Sequence, residues 1–168
     1  MDTRAIVPTM SNSPLLEMVR YNNWANQQMI AHCRELPPEV LEHSIPGVFG
    51  TIPSTLAHLI GTEAYFYAGV TGAAPENAPA RGESLPLDEL AEFQSRVAAL
   101  WEAFAENPGD VHRPMAQGRA GVRPPVIAAV TQLICHGSEH RAQVETLLGS
   151  LGLPPPEFNP WVYTLRTA

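Results

Sequence analysis

His136 and His140 stand four residues apart in the run Cys135-His136-Gly137-Ser138-Glu139-His140-Arg141-Ala142-Gln143, inside a long stretch free of proline. On a helix that spacing stacks two imidazoles one turn apart on one face, where both can reach a single metal ion. The same stretch carries apolar Val126, Val130 and Leu133 before the pair, and Val144, Leu147 and Leu148 after it. A helical wheel puts His140 near the middle of that apolar stripe and His136 at its edge. Two polar rings aimed at a core need partners, because burying an unsatisfied imidazole costs roughly 1–3 kcal/mol. A metal ion is one such partner, and hydrogen bonds to backbone or carboxylate are the alternative. The run also fits H-x-x-E-H, a metalloprotease pattern in which Glu139 would be the base. That chemistry needs a further carboxylate ligand well downstream, and Glu145 and Glu157 are the only acidic residues among the 28 that follow His140. The match reads as accidental, although Glu139 stays a candidate general base if it turns toward the histidines.

The elements that must position these rings are marked out by proline, which costs about 3 kcal/mol inside a helix. All seventeen prolines fall outside four windows, Leu15–Leu36, Ser54–Ala74, Leu87–Asn107 and Val126–Leu153. Ser13-Pro14 opens the first window as a cap residue followed by proline, and Thr51 with Pro53, then Ser84 with Pro86, give similar starts. Gly149, Gly152 and Pro154 stop the fourth. In the third window Leu90, Phe93, Val97, Leu100 or Trp101, and Phe104 recur every three or four residues. Ile52, Leu56, Leu59, Phe66 and Val70 form a similar stripe in the second, with Glu63 among them. Four amphipathic helices without a strand-rich region predict an all-α four-helix bundle in one domain spanning 1–168. The connectors are long enough for a crossover. Met115–Val122, with two glycines, suggests a small hairpin before the last helix. Residues 1–12 read as a frayed lead-in. The tail 154–168 is expected to pack back on the bundle, because Trp161 and Tyr163 are costly to leave in water.

Composition narrows the function. With 45% hydrophobic residues and a single-domain length of 168, the chain can bury a core. A formal charge of −7, with no basic run, argues against nucleic-acid binding. No apolar run approaches the ~20 residues of a membrane span, and the first residues lack the apolar centre of a signal peptide. Cys33 and Cys135 fall in different helical windows and form no disulfide framework, which suits a reducing cytoplasm. Cys135 points about 100° away from His136 on the wheel and is expected to be a buried, inert thiol.

A third histidine, His58, lies in Thr55-Leu56-Ala57-His58-Leu59, on the flank of its helix's apolar stripe. Periodicity alone leaves open whether it reaches the other two. Here the chain resembles the DinB family of bundle metalloproteins (the DinB/YfiT-like group). Tyr21-Asn22-Asn23-Trp24-Ala25-Asn26 is similar to that family's opening signature, and His58 followed by Glu63 to its second-helix pattern. His136 through Gln143, Leu147–Gly152 and Trp161 resemble its closing part, with Ala142 where the family commonly has glycine. The resemblance covers about Leu15 to Trp161. It implies a four-helix bundle with a crossover and a divalent metal (zinc, nickel or iron) held by His58, His136 and His140.

Three neutral imidazoles would leave such an ion an open position for a thiolate or for hydroxide. The resemblance implies the first for some members, which use bacillithiol, mycothiol or glutathione to transfer or isomerise small electrophilic substrates. Hydrolysis by hydroxide on the metal is the alternative, and a non-catalytic metal-binding or stress-related role is the third. Glu63, on an apolar stripe, is expected to be a buried carboxylate that orients a histidine or bonds a polar neighbour, with a catalytic role open to it. Tyr21 and Arg141 are candidates for substrate or cofactor binding, while Arg141 and Gln143 are expected to be chiefly structural. Members of this family often pair, and the apolar faces of the first and last helices suit a homodimer.

Overall fold

The computed structural model describes residues 13–79, 85–118 and 120–165, so the expected lead-in over 1–12 and the Ser84 cap lie outside the described residues. Ser13 opens the first helix: its hydroxyl accepts from the Leu16 N–H at 3.3 Å, and Pro14 occupies the first turn, where its missing N–H costs nothing. The elements follow as α1 (Pro14–Arg34), α2 (Pro38–Leu41), α3 (Ile52–Thr71), α4 (Leu87–Glu106), α5 (Val126–Ser150) and α6 (Pro160–Leu165). The four long helices coincide with the four proline-free windows. Thr51 caps α3 through the Ser54 N–H, and Gly72, at a φ of 84°, ends it in the left-handed conformation. Beyond α5, the Leu153 N–H returns to the Leu148 carbonyl at 2.9 Å past Gly152, whose φ is 71°, which closes the helix as a Schellman-type turn.

Packing orders the helices as a ring in which α1 touches α4 and α5, and α3 touches α4 and α5. Arg20 pairs with Glu102 and Glu106, while Arg34 pairs with Asp88, so α1 and α4 run antiparallel. Long helices that follow one another in the chain are therefore diagonal twice, from α1 to α3 and from α4 to α5. The expected crossover is present in the α1–α3 and α4–α5 connections. The second of these, after α4, docks on the far end of α3. The Gln117 N–H donates to the Gly69 carbonyl at 2.9 Å, Arg113 reaches the Val70 carbonyl, and the Met115 methyl occupies the space a side chain at Gly69 would need.

Trp101, rather than Leu100, supplies the core position of α4, fully buried with Leu90, Phe93 and Val97. Its indole N–H donates to the Glu63 carbonyl at 3.1 Å, which satisfies the one polar atom of the largest core side chain. Two expectations need correction. The hairpin shrinks to one antiparallel bridge between Pro114 and Pro125, and no strand occurs among the described residues. Pro114, Pro124 and Pro125 have no N–H to donate, so a ladder cannot extend. The described part of the tail, up to Leu165, meets the bundle through Phe158 and Tyr163, while Trp161 is 80% exposed. Tyr163 meets Tyr21 edge-on at 5.7 Å and Trp24 at 5.4 Å, and its hydroxyl donates to Glu17.

That division predicts unequal costs for two neighbouring aromatics. Tyr163→Ala should lower unfolding stability by about 2–4 kcal/mol, whereas Trp161→Ala should stay within ~0.5 kcal/mol of the parent chain. Urea titration of both variants compares them, and equal losses would mean the tail docks differently.

Candidate metal centre

His58 sits in the second turn of α3, and His136 and His140 lie mid-way along α5, so the triad is assembled from two packed helices. The facing ends run antiparallel, because His58 meets His136 and His140 while Val70 meets the segment just before α5. The wheel placed the rings well: His136 and His140 are 8% and 7% exposed, and His58 is half-buried on the flank. His136 Nε2 lies 3.3 Å from His58 Nε2 and 3.1 Å from His140 Nε2. One ligand nitrogen from each ring falls within 4.8 Å of the others. Two nitrogens bound tetrahedrally at about 2.1 Å from one ion would stand about 3.4 Å apart, close to those separations.

The protonation pattern fits the same reading. His140 Nδ1 lies 3.0 Å from Gln143 Oε1, an oxygen that can only accept, so the ring donates there and leaves Nε2 bare. A neutral His136 can donate through Nε2 to one neighbour at most, while its Nδ1 is buried without a partner. One cation would satisfy all three inward lone pairs. Burial first, and the adjacent His140 and His58 next, hold the His136 ring down at about 4, which keeps it in the neutral form a metal requires.

An aromatic wall closes the outer side. Phe49, in the loop before α3, stacks on His58 at 4.1 Å with planes 16° apart and meets His140 edge-on. Phe66 meets His136 edge-on from within α3. The Phe49 N–H donates to the same Gln143 oxygen at 3.2 Å, so one amide holds both a histidine tautomer and the covering loop. Sequence reading gave Gln143 a chiefly structural role and overlooked Phe49. The signal available was an aromatic flanked by glycines, Gly47-Val48-Phe49-Gly50, in a connector that must close over the start of α3.

The other candidates fall elsewhere. Glu139 is exposed on α5. Cys135 is exposed, not buried as expected; one position before His136, it faces water because His136 faces α3. Cys33 is the buried thiol, pushed up to about 12 by burial. Glu63 is buried as expected, but its hydrogen bonds go to α1: Asn22 and Asn26 donate to its Oε1 at 2.8 and 2.9 Å. Arg141, 2% exposed, donates to Oδ1 of both asparagines and lies over the Phe158 ring. Tyr21 packs in the cluster with Trp24 and Tyr163. Tyr21 and Arg141 therefore belong to the α1–α5 contact, behind the rings.

Comparison with known proteins bears on the family and the fold. The profile of the DinB family matches residues 10–166. The chain belongs to the DinB family. Among curated proteins it is similar to Protein DinB of Bacillus subtilis (strain 168), 22% identical over 163 residues that cover 90% of this chain and 95% of the relative. Among solved structures it resembles a DinB-like protein from Bacillus cereus ATCC 10987, with a TM-score of 0.67 and 19% identity over 86% of this chain and 95% of that one. The shared DinB bundle confirms the helical fold. No helix among the described residues is long and apolar enough to cross a membrane.

Two outcomes test the geometry around the rings. A Cβ at Gly137 would stand 2.9 Å from Arg141 Nη1 and closer still to Asn22 Oδ1. Gly137→Ala gains about 1 kcal/mol of helix propensity but displaces buried charge-assisted bonds worth about 1.5–3 kcal/mol each, so thermal denaturation should show a net loss. A raised melting temperature would contradict that contact. Glu63 is pushed up to about 7 by burial, against the pull of Asn22, Asn26 and Arg141. Its folded pKa lies above its unfolded one, so the folded state holds the extra proton. The associated stability is complete below about pH 4.5 and is lost as pH rises through about 7. Glu63→Gln should flatten that decline in urea titrations at pH 5 and pH 8, and an unchanged slope would place the titration elsewhere.

Proposed function

We propose that this DinB-family protein binds one divalent metal through His58, His136 and His140. We further propose that it uses the metal to join or isomerise a small electrophile with a low-molecular-weight thiol of the bacillithiol, mycothiol or glutathione type. The observation that carries the reading is the convergence of three Nε2 atoms at 3.1 and 3.3 Å along α3 and α5. A divalent ion with three neutral imidazole ligands keeps its full charge and lowers the pKa of a thiol at its open position. Gln143 fixes the His140 tautomer, and His58 is only half-buried, at the edge of the site under Phe49. Phe49, 52% exposed, and Phe66 offer apolar faces against which a non-polar electrophile can lie and from which water is displaced.

Thiol chemistry is favoured over hydrolysis by where the carboxylates lie. Glu139 is exposed and Glu63 is committed to α1, so neither of these two carboxylates is poised at the rings to activate water. Exposed Met18 on α1, with Trp161 and Leu165 on α6, supports a homodimer as the proposed assembly.

Protein purified without an affinity tag should contain about one zinc, nickel or iron per chain. His136→Ala should lose that metal and melt at a lower temperature, because a ligand bound only by the folded state stabilises it. Loaded protein, offered a chlorinated nitrobenzene and a panel of thiols, should form the conjugate only when both metal and thiol are present. Turnover that needs metal and ignores thiol would move the assignment to a hydrolase. Metal far below stoichiometry, not restored by added zinc, nickel or iron, would end both enzyme readings.

A further inference from the structure

We propose that the buried chain Glu63–Asn22/Asn26–Arg141 is a positioning device that holds α3 and α5 at the separation and register the three histidines require. The proposal rests on the metal reading above. Asn22 and Asn26 stand one turn apart on α1, and each uses both ends of its amide. The Nδ2 atoms donate to Glu63 Oε1 at 2.8 and 2.9 Å, and the Oδ1 atoms accept from Arg141 Nη1 at 2.9 and 2.5 Å. Glu63 lies five residues after His58 on α3, and Arg141 directly follows His140 on α5. The two helices that carry the ligands are thus clipped to each other through α1.

Three features favour positioning over plain stability. All four side chains are at most 2% exposed, and a buried ionic group is a poor source of stability, since apolar replacements of similar volume often do as well or better. What a polar chain adds is geometry: planar amides with fixed donors and acceptors tolerate little sliding before two bonds fail together. The clip is also seated between the ligand positions. Gly137, one residue after His136, leaves room for the Asn22 amide and the Arg141 guanidinium against the α5 backbone, and Arg141 also reaches the Ser138 hydroxyl at 3.3 Å. An ångström of slip there would carry His136 and His140 away from His58.

The test compares cobalt and zinc affinity, by chelator competition, and the cobalt absorption spectrum in Asn22→Ala, Glu63→Leu and Glu63→Gln. Leu90→Ala, in the α4 core, serves as a destabilised control. Asn22→Ala and Glu63→Leu should bind metal about 10–100-fold more weakly and with an altered cobalt spectrum, the range expected when the groups that orient ligands are removed. Glu63→Gln keeps an oxygen that accepts from both amides and should stay near the parent chain. Should the harsher variants not fold, a loss of about tenfold or more in Glu63→Gln would by itself overturn the hydrogen-bond argument. Leu90→Ala should melt lower with unchanged affinity and spectrum. If every folded variant matches the parent chain in both readouts, the polar chain is structural only and the proposal fails. A parent chain that takes up neither metal overturns the metal reading and this inference with it.

Discussion

Rings borne by different helices meet at one point only while the helices cannot slide past each other. Separations of 3.1 and 3.3 Å among the Nε2 atoms of His58, His136 and His140 set that constraint, because a histidine side chain reaches only a few ångströms from its backbone. Much of the rest of the bundle bears on it. The Thr51 cap fixes where α3 begins, two turns before His58. At the other end of α3, the connection carrying Arg113, Met115 and Gln117 is bonded and packed onto Gly69, Val70 and Gly72, which pins the start of α5. α1 then lies against both through Asn22 and Asn26.

The interior accepts a heavy polar load for this. Glu63, Arg141, three asparagines and two of the three histidines are buried, although each would cost several kcal/mol if left unpaired. Nearly all are partnered in ways that restrict geometry. The asparagines mediate between a carboxylate and a guanidinium in place of a direct ion pair, which leaves Glu63 pushed up rather than down. Desolvation outweighs the attraction of a cation held one amide away. Of these groups His136 Nδ1 and Asn23 Oδ1 lack a partner among the described residues, as does His32 Nε2 elsewhere on α1. The first belongs to the candidate metal centre, and the structure offers no account of the second.

Much of the fold was legible because local rules and the core agree. The proline-free windows matched the long helices, since proline excludes itself from helix interiors whatever the tertiary context. Periodicity separated buried from exposed faces on α3, α4 and α5 and placed His140 inward, because packing against one neighbour imposes the 3.6-residue repeat. It failed where a residue's fate depends on a surface not yet built. Trp161 is as apolar as Tyr163, yet only Tyr163 finds the Tyr21–Trp24 recess. Cys135 looked like a core thiol by residue type, but α5 is rotated to serve His136 and leaves it in water. Gln143 and Phe49 gave no spacing signal, since their roles depend on a loop folding back across two helices.

By itself, then, the sequence determined the number and approximate limits of the four long helices, the inward faces of α3, α4 and α5, and the one-turn spacing of His136 and His140. These depend on interactions among residues a few positions apart. Only the tertiary structure decided that His58 closes on that pair, that Glu63 turns to α1, and that Arg141 lies behind the rings. Those outcomes depend on how far one helix is displaced and rotated against another. No local pattern encodes that quantity, because it is set by the sum of contacts across the whole core.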